Sequence, residues 1–141
     1  MIHVTPFKAH HAFGIHPFVD RQFIKQMYDR EGEEGTAITV WHDGRVLFCG
    51  GISKLWDGVG AVWMVVSETA RKKPVTLTRT AKRYMASIIE QYGFDRVHAF
   101  IACDNETDIR FAERMGLKRE SGRLEKYYGG KDFYLYAIVR R

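Results

Sequence analysis

The stretch AVWMVVS (residues 61–67), followed by ETARKKPVTLTRTAKRYMASIIEQYG (residues 68–93), decides the fold. Its first part is a short apolar run, which is typical of a strand buried on both faces. In the second part, apolar residues recur every three or four positions and predict one amphipathic helix. They are Leu77, Ala81, Tyr84, Met85, Ile88, Ile89 and Tyr92, and Gly93 ends the helix. A strand that leads into a helix in this way indicates an α/β fold.

The sequence before this stretch predicts a strand, a helix and a hairpin. Residues 1–7 (MIHVTPF) alternate apolar and polar side chains, as a strand does. Residues 16–35 predict a helix that has Pro17 in its first turn and ends at the glycines Gly32 and Gly35. Residues 36–56 predict a hairpin, because Asp43-Gly44 suits a two-residue type I′ turn between β-rich arms.

The sequence after it predicts a further strand, a short helix and two closing strands. The strand covers residues 95–103, and the helix has Asp104 or Asn105 as its N-cap and Gly116 at its end. Residues 116–128 and 131–141 form the closing strands. This order predicts a single α/β domain, residues 1–141, with a mixed, mainly antiparallel sheet and helices on both faces. We expect the parallel pair to be the strand ending near Ser67 and the strand at residues 97–102.

Composition limits the function classes. A chain of 141 residues that is 45% hydrophobic can bury a core, which excludes a disordered protein. No long apolar run or signal peptide is visible, so we expect no membrane span. Cys49 and Cys103 lie far apart in predicted strands, which indicates two buried thiols and a cytoplasmic setting. The net charge of +5 favours an anionic partner such as nucleic acid, a nucleotide or a phosphorylated cofactor.

The segment ARKKPVTLTR (residues 70–79) is the best candidate for an anion site. Arg71, Lys72 and Lys73 precede a helix N-terminus, where unpaired N–H groups and the helix dipole favour a pyrophosphate. The alternative is a helix start whose basic residues are only solvated. Two residues count against tight phosphate binding, because Pro74 has no N–H and Thr76 carries a side chain where glycine would allow closer approach.

Two segments resemble the GCN5-related N-acetyltransferase (GNAT) family. After Val66, the run from Arg71 to Thr76 stands where that family has Arg-Gly-x-Gly-x-Gly, with Arg71 and Val75 matching and the glycines missing. The helix of residues 105–117 is similar to the family's asparagine-led helix, with matches at Asn105, Phe111, Glu113 and Gly116. The resemblance implies that acetyl-CoA is the acyl donor. It places the pyrophosphate at Arg71, Lys72, Lys73, Val75 and Thr76, and the pantetheine at Val65, Val66 and Asn105.

The resemblance also implies roles in acyl transfer to an amine. Such a reaction needs a base for the ammonium and a proton for the departing thiolate. Glu68 is the candidate base, and an ordinary surface carboxylate is the alternative. The family often uses a tyrosine for the thiolate, but Ala112 stands at that position. The proton then comes from Tyr134, from Tyr136 or from water.

Two functions stay open. One is an acetyl-CoA-dependent N-acyltransferase acting on a small amine or a protein amino group. The other follows from a similarity to GNAT-like proteins of tailed phages and prophages, carried by Trp63, Arg71 to Lys73 and the Asn105–Phe111 helix. It is an inactive structural or internal virion protein, located in the host cytoplasm or the virion, with other virion proteins as partners.

Other ligands are not expected. The six histidines, including His10, His11 and His16, lack metal-ligand spacing, so no metal site is predicted. The basic residues around the predicted helix could face nucleic acid, but Tyr84 belongs to the apolar stripe and no nucleic-acid motif is present. Nucleic-acid binding is therefore not expected.

Overall fold

The computed structural model describes residues 2–13 and 30–140. The strands are β1 (Ile2–Pro6), β2 (Ala37–His42), β3 (Arg45–Trp56), β4 (Val59–Val66), β5 (Arg96–Ala102), β6 (Lys118–Arg119), β7 (Leu124–Tyr128) and β8 (Lys131–Val139). The helices are α1 (Ala9–Phe13), α2 (Glu68–Arg71), α3 (Pro74–Tyr92) and α4 (Glu106–Arg114). Residues 30–34 are also helical and are called the 30–34 segment below.

The eight strands form one sheet in the order β1-β2-β3-β4-β5-β8-β6, and β7 pairs with β8. β4 and β5 are parallel, whereas β1–β2, β2–β3, β5–β8, β6–β8 and β7–β8 are antiparallel. The predicted mixed, mainly antiparallel α/β fold and its parallel pair are confirmed. The parallel register covers Val59↔Arg96, Gly60↔Val97 and Ala61↔His98.

The chain forms two compact units. The first consists of Met1–Ser53 and Val62–Thr80, and the second of Lys54–Ala61 and Ala81–Arg141. A buried cluster lies in the first unit, with Val46 and Trp63 packed against it: Phe7, Ala9, Ala12, Ala37, Cys49 and Val65. In the second unit, buried side chains come from α3, α4, β5 and β8, among them Met85, Ile89, Val97, Ala112 and Tyr136. That residues 1–141 are one domain stays a prediction.

Several local predictions are confirmed. Asp43 and Gly44 both have positive φ (50° and 80°), as a type I′ turn requires. The α3 stripe is buried at Leu77, Ala81, Met85, Ile88 and Ile89, while Tyr84 is half-buried and Tyr92 is exposed. Asn105 is the N-cap of α4. Both cysteines are free thiols as predicted and Cys49 is buried, but the prediction that Cys103 is buried is wrong, because it is half-buried.

Other predictions need correction. Residues 14–29 of the predicted helix at 16–35, with Pro17, lie outside the described residues. Its end is at Gly35, which has a φ of 90°, and Gly32 lies inside the 30–34 segment. The prediction that β4 is buried on both faces is wrong, since only Gly60 and Val65 are buried. A physical reason is that valine and tryptophan are common in strands for their β-propensity, so an apolar run does not by itself require burial on both faces.

Besides the short helix α1, two further features were not expected from the sequence. Residues 116–128 do not form one strand, because they divide into β6 and β7. The four-residue helix α2 lies between β4 and α3, inside the basic stretch. The helix α2 changes the environment of the predicted anion site.

Candidate functional site

The basic stretch folds as a helical turn followed by a new helix. Ser67 begins α2, and its Oγ accepts a hydrogen bond from the N–H of Ala70 at 3.1 Å. Pro74 then starts α3, at the helix position where proline is favoured because its missing N–H would have no partner there. The carbonyl of Lys73 accepts the first α3 bond, from the N–H of Leu77 at 3.0 Å.

This turn uses the backbone donors of the three basic residues. The N–H groups of Arg71, Lys72 and Lys73 donate to carbonyls within residues 67–70, at 2.9 to 3.3 Å. In the described part of the chain, the N–H groups of Val75 and Thr76 have no acceptor. The predicted pyrophosphate site therefore retains two backbone donors at the start of α3.

The side chains around these donors are accessible. Arg71, Lys72 and Lys73 are exposed, and none of them forms an ion pair with the residues that the structure describes. Thr76 is half-buried, and Val75 is 68% exposed. The arrangement combines three exposed cations with the positive end of a 19-residue helix. Exposed cations and a helix N-terminus are features that favour a phosphate group.

The end of β4 leads directly to this turn. Val65 is buried in the first unit and Val66 is half-buried. Neither belongs to the parallel register of β4 with β5, which covers Val59 to Ala61. Glu68, the predicted base, is exposed in the first turn of α2. The first unit thus brings together the candidates from Val65 to Thr76, while Asn105 and Tyr134 lie in the second unit.

In the second unit, Asn105 caps α4. Its side-chain oxygen accepts from the N–H of Asp108 at 3.0 Å, and its side-chain nitrogen donates to Asp108 Oδ2 at 2.8 Å. A contact with pantetheine stays a prediction for this residue. It would use the second N–H of the same amide group.

The candidate proton donors are the tyrosines of β8. Tyr134 is half-buried, and the guanidinium of Arg119 lies 4.7 Å from its ring centroid. Tyr136 is buried, and its hydroxyl donates to Glu113 Oε2 at 3.5 Å. Burial, together with the nearby Glu113 carboxylate, raises the pKa of Tyr136. The role of Tyr134 as thiolate donor stays a prediction.

Ala112 is buried on α4, where a tyrosine would have to replace a methyl group inside the packed second unit. We expect Ala112→Tyr to destabilise the protein by about 1–3 kcal/mol, as overpacking does. It should not improve thiol release. Thermal unfolding measures the loss, and Arg114→Tyr on the exposed side of α4 is the matched control. A stable and more active Ala112→Tyr protein would contradict this expectation.

Sequence reasoning missed Glu31, a half-buried carboxylate of the first unit. Its Oε1 accepts from the indole N–H of Trp63 at 2.9 Å, and its Oε2 accepts from Ser53 Oγ at 2.8 Å. The pKa of Glu31 is raised overall. Burial is the largest cause, the hydrogen bonds from Trp63 and Ser53 partly offset it, and the charge of Glu34 adds to it. Its sequence neighbours show nothing of this, because both partners lie on distant strands.

A second polar group of the first unit consists of His11, Thr39 and Cys49, and the last two of these are fully buried. His11 Nδ1 lies 2.6 Å from Thr39 Oγ1, which lies 3.6 Å from Cys49 Sγ. Burial raises the pKa of Cys49 to about 12, so this thiol is not a nucleophile at neutral pH. In residues 2–13 and 30–140, no group of three or more His, Cys, Asp or Glu side chains could hold a metal ion. No helix there is long and apolar enough to span a membrane.

No family model matches the chain, and no curated protein sequence is significantly similar to it. Solved structures do match. A GNAT-family acetyltransferase from Bacillus anthracis superposes with a TM-score of 0.74 at 14% identity, covering 98% of this chain and 94% of that one. The chain has the GNAT fold.

Two further GNAT-fold neighbours span nearly the whole chain. Ard1 from Thermoplasma volcanium gives a TM-score of 0.81 at 17% identity, with 99% and 98% of the two chains covered. The protein yncA of Salmonella typhimurium, solved with its cofactor acetyl-CoA, gives 0.76 at 12% identity, with 99% and 94% covered. At these identities the similarity establishes the fold.

Proposed function

We propose that this protein binds acetyl-CoA or a related acyl-CoA and transfers the acyl group to an amine. The observation that carries the proposal is the exposed basic cluster of Arg71, Lys72 and Lys73 at the start of α3, directly after β4 in a GNAT fold. The neighbour yncA was solved with acetyl-CoA. That finding supports the choice of donor.

The residues present suit the two polar parts of such a donor. The pyrophosphate would accept hydrogen bonds from the N–H groups of Val75 and Thr76, and Arg71 and Lys73 would neutralise its charge. The amides of the pantetheine arm would run along the backbone of Val65 and Val66, as an added strand does at a sheet edge. The donor set is therefore chemically adequate, although smaller than in a glycine-rich turn.

The transfer requires three events. An acceptor ammonium loses a proton, the freed nitrogen lone pair forms a C–N bond with the thioester carbonyl carbon, and the C–S bond breaks. The nitrogen then loses its second proton, and the thiolate takes one up. Glu68 as base and Tyr134 as the source of the last proton stay predictions.

A thiol-release assay across a panel of amines tests the proposal, run beside thermal unfolding with and without acetyl-CoA. We expect acetyl-CoA to raise the melting temperature. Turnover should be low, because loss of a well-placed general acid typically lowers rates by about 10²- to 10⁴-fold. A protein that acetyl-CoA does not stabilise, and that releases no thiol with any amine, would contradict the proposed function.

A second candidate is a protein that keeps this fold without its chemistry. It is favoured by α2, which uses the N–H groups of Arg71, Lys72 and Lys73, and by Ala112 in place of a tyrosine. A phage or prophage origin, with virion proteins as partners and a place in the host cytoplasm or virion, belongs to this candidate. Stabilisation by acetyl-CoA without turnover would favour it.

A further inference from the structure

The Glu31 carboxylate is oriented by two neutral donors from two strands of the first unit. Trp63 of β4 donates to one oxygen and Ser53 of β3 to the other. Trp63 and Val65 are two residues apart in β4, so their side chains share one face of the strand. Because Trp63 donates to Glu31, the Glu31 carboxylate lies on the same face of β4 as the side chain of Val65.

No cation among the described residues balances this carboxylate. In those parts of the chain, no lysine, arginine or histidine pairs with Glu31, which is half-buried. The carboxylate has further lone pairs beyond the two in use, and these can accept hydrogen bonds from a ligand. A partly desolvated charge without a partner is costly, and such groups concentrate at functional sites.

The hydrogen bonds do not themselves need the charge. A glutamine at position 31 could accept from the Trp63 indole with its oxygen and donate from its nitrogen to Ser53 Oγ, because a hydroxyl can donate or accept. A purely structural link between the 30–34 segment and the two strands would thus work with an uncharged residue. These two hydrogen bonds alone do not account for the negative charge.

We propose that Glu31 binds the acceptor as an ammonium ion and removes its proton, so that the acceptor is a cationic primary or secondary amine. This inference rests on the proposed acyl transfer, and it gives Glu31 the role of base that the sequence suggests for the exposed Glu68. One N–H proton passes to the Glu31 carboxylate, and the freed lone pair attacks the thioester carbonyl carbon. As the C–S bond breaks, the nitrogen gives up its second proton and the thiolate takes one up, both through water. Burial raises the pKa of Glu31, which makes its carboxylate a stronger proton acceptor.

The indole N–H of Trp63 offers a direct readout of amine binding. Its NMR signal, assigned with Trp63→Phe, is followed while 1,4-diaminobutane is added, and 1,4-butanediol serves as the uncharged analogue. We expect a saturable shift with the diamine only, in the wild type and in Glu33→Gln, and none in Glu31→Gln. Glu33 is the matched control because it is exposed in the same segment. No shift in the wild type would overturn the inference, whatever the turnover assay shows.

Kinetics test the proton transfer separately. We expect kcat/KM of the wild type and of Glu33→Gln to rise with pH as the position-31 carboxyl ionises. Glu31→Gln should lower kcat/KM about 10²- to 10⁴-fold and remove this pH limb. Acetyl-CoA affinity, measured by calorimetry, should not change. If kcat/KM of Glu31→Gln still rose with pH in the same way, the role of Glu31 as base would be refuted. A wild type without turnover would refute the proposed function, and the indole titration would then decide whether Glu31 binds the amine.

Stability separates a functional charge from a structural one. The pKa of Glu31 is higher in the folded state than in the unfolded state. The protonated side chain therefore contributes stability below the unfolded pKa. This contribution is lost as the pH rises through the folded pKa. Glu31→Gln should therefore melt at a higher temperature than the wild type at pH 7, with a difference that disappears at acid pH. A Glu31→Gln protein that is less stable at pH 7 would show that the structure needs the charge and would overturn the inference.

Discussion

Replacing Arg71 and Lys73 together by glutamate is expected to abolish acetyl-CoA binding. The change puts two negative charges where a pyrophosphate would meet cations, next to the N–H groups of Val75 and Thr76. Hydrogen bonds to charged groups contribute about 1.5–3 kcal/mol each, so the loss of two should weaken binding by about 10²-fold or more before repulsion is added. Calorimetric titration with acetyl-CoA measures the effect.

The fold should tolerate this double variant, because both side chains are exposed and form no ion pair among the described residues. Arg114→Glu combined with Lys118→Glu is the matched control, since it lowers the net charge of +5 by the same amount at exposed positions of the second unit. The control should bind like the wild type. Wild-type affinity should also fall as salt rises, because exposed charges are screened. Unchanged affinity in the Arg71/Lys73 variant would remove the site.

Gly32→Ala is expected to destabilise the protein strongly. A Cβ at residue 32 would overlap the backbone oxygen of Phe7 and lie 2.9 Å from its carbonyl carbon. Phe7 belongs to the buried cluster of the first unit, so neither backbone segment can move without disturbing that core. We expect a loss of about 3 kcal/mol or more in the free energy of unfolding, at the upper end of overpacking costs.

Denaturant unfolding measures this loss, with Gly122→Ala as the control. A Cβ at Gly122 would have no atom within 4 Å, and the φ of Gly122 is not in the left-handed region. Its replacement should change stability by less than about 1 kcal/mol. Alanine is the better helix former, so a structure without the Phe7 contact would make Gly32→Ala stabilising. A stabilised Gly32→Ala protein would therefore contradict the close packing of Gly32 on Phe7.

The order of the elements was predictable because it depends on local patterns. The spacing of Leu77, Ala81, Met85 and Ile88 marks α3, and Asp43-Gly44 marks a turn, since each pattern needs only neighbouring residues. The parallel pairing of β4 with β5 followed from the helix between them. The helix α2 was missed because four residues are too few for a periodic signal, although Ser67 is a good N-cap.

The candidate site was only partly predictable. The basic residues Arg71 to Lys73 could be read directly from the sequence, but not the use of their N–H groups by the turn that precedes α3. Glu31 shows the difference most clearly. It meets Ser53 and Trp63, which lie 22 and 32 residues away, through hydrogen bonds that only the packing of the first unit creates. The sequence by itself determined the elements, because their signals repeat within a few residues, and the tertiary structure alone decided which carboxylate is desolvated, oriented and, among the described residues, left without a cation.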